Sequence, residues 1–129
     1  MMRFDHAGIA TDDADALAEL YTDLFDTPIV HEETFNGMAV VFLDCEDGYF
    51  ELLEPLDGDG AIARYLDRDG PGVHHLALET DDVRGVLDRA REHGVERIDD
   101  EPRPGAWGHD VAFLHPGSTG GVLIEFVEH

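Results

Sequence analysis

Lysine is missing from this chain of 129 residues: all eight basic side chains are Arg, set against thirty Asp and Glu for a formal net charge of −22. A polyanion of this density is repelled by duplex nucleic acid and by anionic membrane surfaces, so neither is an expected partner. The acid also repels itself. At about 1 M salt the Debye length falls to about 3 Å and most of that repulsion is screened. The composition therefore reads as adaptation to a salty interior, a halophilic signature that describes the solvent and not the substrate. Cysteine is scarce too. Cys45 stands alone, which excludes an internal disulfide, fits a reducing compartment and reads as a small residue at a strand end. No apolar run approaches the roughly 20 residues needed to span a bilayer. The opening MMRFDHAGIA lacks the apolar core of a signal peptide, so a cytoplasmic location is expected.

What the chain does have suits one globular domain: a length that can bury a core, and 43% hydrophobic residues. It also spells one phrase twice. DHAGIATDD at 5–13 and HHLALETDD at 74–82 share His, four residues, then Thr-Asp-Asp, 69 positions apart. A helical pattern follows each copy: Leu17, Leu20, Tyr21 and Leu24 in the first, Val83, Val86, Leu87 and Ala90 in the second, at i, i+3, i+4 and i+7. Thr-Asp-Asp supplies side-chain oxygens that cap a first turn and acids that suit the helix dipole. FDTP and EHG mark the helix ends. VVFLD at 40–44 answers VAFLH at 111–115, and FELLE at 50–54 answers IEFVE at 124–128; each reads as a strand. The fold class is α+β. Two tandem β-α-β-β-β modules are expected, with pseudo-twofold symmetry, forming a curled mixed sheet around a metal-binding cleft. Module one covers about 3–56 and module two about 72–128. The connecting turn at about 57–71 holds AIARYLDR as one or two helical turns.

The chemistry falls at equivalent places in the two copies. His6 and His75 lie in the first strands, Glu51 and Glu125 in the last, with His-to-Glu separations of 45 and 50 residues. Strand alternation turns Phe50 and Leu52 away from the face that carries Glu51, and Ile124 and Phe126 away from that of Glu125. A lone strand His or Glu is usually structural. Four metal-competent side chains at matched positions instead suggest a divalent site with mixed nitrogen and oxygen ligands, suited to Co, Mn, Ni or Zn. His74 points the other way and reads as structural or supporting. His109 and His115 flank a strand near the cleft and could touch substrate, whereas His31, His93 and His129 have no counterpart in the repeat.

These residues and their spacing resemble the vicinal-oxygen-chelate superfamily of glyoxalases, bleomycin-resistance proteins and dioxygenases. The stretches DHAGIA, ELLEPL, GVHHLALE, DDEPRPGAWG and FLHPGSTGGVLIEFVE are most similar to its methylmalonyl-CoA epimerase branch, over about residues 3–128. The resemblance implies one divalent ion per chain on His6, Glu51, His75 and Glu125, an acyl-CoA substrate, a homodimer, and proton transfer by Glu125 and Glu51 on opposite faces of the substrate. Arg64, Arg68 and Arg103 would be the local counter-charges to coenzyme A phosphates. One departure is visible: some epimerases place a base on the third strand of module one, where this chain reads Gly37-Met38-Ala39-Val40-Val41 without an acid. A lactoylglutathione lyase of the glyoxalase I type, with the same four ligands, and a non-catalytic binding member of the superfamily are the alternatives.

Overall fold

Thr-Asp-Asp caps a helix in both copies, as its chemistry suggests. In the computed structural model, which describes residues 1–129, the Ala16 N–H donates to Asp13 Oδ1 (3.1 Å) and the Gly85 N–H to Asp82 Oδ1 (3.0 Å). Thr11 and Thr80 accept through Oγ1 from the N–H of those same aspartates, both at 3.2 Å. The helices so started are α1 (Ala14–Phe25) and α3 (Val83–Glu92). Their first N–H groups find a further partner that the caps do not supply. Ala14 N–H donates to Glu54 (2.7 Å) and Val83 N–H to Glu128 (3.0 Å), the acids that close FELLE and IEFVE. Each helix start thus receives carboxylates where the dipole favours them and leaves fewer orphan donors.

The remaining elements follow the expected order twice. The first copy is β1 (Arg3–Ala10), α1, β2 (Ile29–Phe35), β3 (Met38–Asp44) and β4 (Tyr49–Pro55). After α2 (Ala61–Asp69), the second copy is β5 (Gly72–Glu79), α3, β6 (Arg103–Pro104), β7 (Asp110–Leu114) and β8 (Ile124–Glu128). The β-α-β-β-β reading and the α+β class hold. β6 is the weak member at two residues, paired Arg103 to Val111 and Pro104 to Asp110. Pro102 and Pro104 lack the N–H that a longer ladder would use.

By contacts the chain divides into two compact units, His6–His74 on one hand and Met1–Asp5 with His75–His129 on the other. In the first, strands run in the order β2-β3-β4-β1, with β4 and β1 parallel and the rest antiparallel. Asn36 and Gly37, at φ 50° and 72°, form the two-residue β2–β3 turn, the conformation a type I′ hairpin requires. A side chain at Gly37 would also meet the Asp57 carboxylate. One face of this sheet packs on α1: Ile9, Val41, Leu43 and Leu52 meet Ala14 and Ala18, with Leu17 and Tyr21 beside them. Leu20 and Leu24, expected on the buried stripe, are exposed. The stripe is 14, 17, 18 and 21, turned by about 60° from the expected one.

In the second unit the order is β5-β8-β7-β6, with β5 and β8 parallel. Val83, Val86, Leu87 and Ala90 of α3 are all buried, against Ala112, Leu114 and Phe126. That stripe is the one the sequence predicts. No helix is long and apolar enough to cross a membrane.

Candidate functional site

Packing one face of each sheet on a helix leaves the opposite face for chemistry. On β4, Leu52 goes to the helix side and is fully buried, so Glu51 must face the other way. Register aligns Glu51 with Gly8 of β1 and Phe42 of β3. His6, two residues before Gly8, shares that face. Its Nε2 lies 3.2 Å from Glu51 Oε1, with the two side chains 4% and 7% exposed. The Phe42 ring meets the His6 imidazole edge to face, centroids 5.7 Å apart at 87°.

The second unit repeats the arrangement with its own residues. Glu125 of β8 aligns with Ala77 of β5 and Phe113 of β7. His75 Nε2 lies 3.2 Å from Glu125 Oε1, and the side chains are 5% and 9% exposed. Phe113 meets His75 at 5.7 Å and 81°. All four predicted ligands are therefore buried, and each His is brought to the Glu of its own copy. The two phenylalanines are further members of the arrangement. Their signal lay in the aligned VVFLD and VAFLH, where Phe is the shared aromatic.

Each pair suits a metal ion by its chemistry. A buried imidazole nitrogen and a carboxylate oxygen 3.2 Å apart, found twice, are donors of the mixed kind that Co, Mn, Ni or Zn would take. Electrostatics point the same way. A buried carboxylate is costly unless a charge compensates it, and this chain is already strongly acidic. An imidazole beside each carboxylate offers a second donor to a cation that would supply that charge.

The other candidates are placed as follows. His74 packs edge to face on Tyr65 (5.1 Å, 88°), a structural role. His115 Nδ1 accepts from the Gly117 N–H at 3.0 Å and holds the turn after β7. His109 stacks on His129 at 4.1 Å, and His129 Nε2 lies 2.6 Å from Asp5 Oδ1. Arg64 donates to the Asp59 carbonyl (2.6 Å), Arg68 pairs with Asp69 (2.7 Å) and Arg103 with Asp99 (2.9 Å). The Arg103 guanidinium also lies over Phe113, 5.3 Å from the ring centre. Burial and the neighbouring Asp44 push the Cys45 thiol up, so it stays protonated at neutral pH and is a poor nucleophile.

Sequence reasoning passed over His31 and Glu33 on β2. His31 Nε2 lies 3.5 Å from Glu33 Oε2, and the His31 ring lies 6.1 Å from that of Phe42. Register aligns His31 with Phe42, hence with Glu51, on one face. The signal was the two-residue spacing of His31-Glu32-Glu33 ahead of the Asn36-Gly37 turn, which fixes which side chains share that face.

Known proteins resemble this chain along almost all of it. The sequence model of the Glyoxalase/Bleomycin resistance protein/Dioxygenase superfamily matches residues 5–113. An ethylmalonyl-CoA/methylmalonyl-CoA epimerase of Cereibacter sphaeroides is 33% identical over 127 residues, covering 95% of each chain. The crystal structure of methylmalonyl-CoA epimerase from Mycobacterium tuberculosis superposes with a TM-score of 0.93 at 36% identity, over 98% of this chain and 87% of that one. A methylmalonyl-CoA epimerase solved in complex with methylmalonyl-CoA and NH4+ gives 0.92 at 38% identity, over 99% and 94%.

Proposed function

The chain belongs to the Glyoxalase/Bleomycin resistance protein/Dioxygenase superfamily, and from that premise we propose that it is an epimerase of methylmalonyl-CoA. One observation carries the reading. A buried His–Glu pair occurs twice, with the same 3.2 Å contact and the same aromatic neighbour, in a chain similar end to end to methylmalonyl-CoA epimerases. We further propose that His6, Glu51, His75 and Glu125 together hold one divalent ion of the Co, Mn, Ni or Zn class.

The reaction needs little else from the protein. The carbon to be inverted lies between a thioester and a carboxylate, and its proton is removed on one face and returned on the other. When bound, the ion would supply Lewis-acid stabilisation of the negative charge that develops on the thioester oxygen. Moving the proton falls to side chains, one per face, and Glu125 and Glu51 are the proposed pair. Burial of both carboxylates keeps bulk water from competing for the proton.

The test measures metal and activity together in the full chain. Wild-type protein loaded with one of these ions is expected to bind one ion per chain and to interconvert the two epimers of methylmalonyl-CoA. A His6→Ala/His75→Ala double variant is expected to lose both. Full metal occupancy in the double variant contradicts the ligand set. Turnover of a glutathione–methylglyoxal hemithioacetal, with methylmalonyl-CoA untouched, contradicts the substrate.

A further inference from the structure

Glu51 is given two tasks by this reading: to hold an ion beside His6 and to move a proton. The tasks compete for the same oxygens, because a carboxylate that binds a metal is a weaker base. A second acid/base group stands on the same sheet face. His31 is in register with Phe42 and Glu51, and one aromatic ring, that of Phe42, meets both His6 (5.7 Å) and His31 (6.1 Å). The Glu33 carboxylate lies 3.5 Å from His31 Nε2, and both side chains are 26% exposed. The His31 Nε2 atom itself is buried, on the side of the ring that faces Glu33. A carboxylate beside an imidazole orients the ring.

The other copy makes the choice of residue informative. Over Phe113, the counterpart of Phe42, lies the guanidinium of Arg103, itself paired with an acid, Asp99. Arg keeps its proton at any working pH, whereas imidazole gives and takes one near neutrality. The first copy therefore offers an imidazole beside this ring where the second offers a guanidinium.

We infer that His31, oriented by Glu33, is the proton carrier on Glu51's side of the reaction, leaving Glu51 chiefly a ligand. This rests on the epimerase reading and replaces Glu51 with His31 as the second acid/base group. In one direction the α-proton of the substrate passes to the Glu125 carboxylate while its electron pair stays on the substrate as an enolate. The His31 imidazolium then gives a proton to the opposite face of the carbon, and both side chains return to their starting states by exchange with water. The other epimer reacts by the same steps in reverse.

The experiment uses full-length, metal-loaded protein with each epimer of methylmalonyl-CoA in D2O. His31→Ala and His31→Gln are expected to keep their metal while epimerisation falls about 10²-fold. Deuterium should still enter from one epimer and not the other, and added imidazole should restore part of the His31→Ala rate. Glu33→Gln should fall less. His31→Gln keeps side-chain bulk and polarity on β2, so it separates proton transfer from packing. Wild-type rates in either His31 variant overturn the inference. So does equal loss of exchange from both epimers without imidazole rescue, which marks a structural role. A wild-type protein that leaves the α-proton in place overturns the epimerase reading and this inference with it.

Discussion

Leu52 and Leu24 differ at the scale of one residue in a way that composition does not reveal. Leu52 is 0% exposed and packs in the α1-facing core of the first unit, whereas Leu24 is 66% exposed. Leu52→Ala should cost about 2–5 kcal/mol through lost transfer energy and a residual cavity. Leu24→Ala should stay within about 0.5 kcal/mol. Denaturant unfolding of the two variants checks the contrast, and equal losses would mean that the α1 stripe is misassigned. The buried His–Glu pairs were more legible than the core stripe of α1. His6, Glu51, His75 and Glu125 announce themselves because polar side chains in apolar strands recur at matched places. His31 and Glu33 were not legible, since they have no partner in the repeat and gain meaning only from strand register.

At the scale of elements, caps and turns were readable because their chemistry is local. Asp13 and Asp82 do what Thr-Asp-Asp suggests, and FDTP and EHG end the helices where expected. The face that α1 buries was not readable from apolar periodicity alone. The periodic pattern favours the large Leu20 and Leu24, yet it is the small Ala14 and Ala18 that meet the sheet. α3 escaped the same error because its apolar residues form only one stripe. Asp82 is the element's most local support. Asp82→Ala should destabilise the protein by about 1 kcal/mol through the lost cap at Gly85. Val83 N–H keeps its bond to Glu128, so α3 should remain helical by circular dichroism while the thermal midpoint falls. An unchanged midpoint would show that the Glu128 contact alone secures the helix start.

Across the whole molecule, the doubled His-x4-Thr-Asp-Asp made the architecture legible, because a repeated β-α-β-β-β pattern leaves few folds to consider. The short β6 was harder to anticipate, since its prolines act on hydrogen bonding and not on hydropathy. Net charge acts at this scale as well. With −22 charges and no Lys, the folded chain gains when its acids are screened. The thermal midpoint should rise steadily as KCl goes from dilute to molar, and a flat response would show that the acids do not repel one another appreciably in the fold.

The central claim is that this molecule removes a carbon-bound proton between a thioester and a carboxylate and returns it to the opposite face. Proton NMR of a single epimer of methylmalonyl-CoA in D2O, with the metal-loaded protein, tests it most directly. Loss of the α-proton signal together with appearance of the other epimer is the predicted result. A stable α-proton signal and an unchanged epimer ratio, from protein shown to hold its metal, would contradict the account.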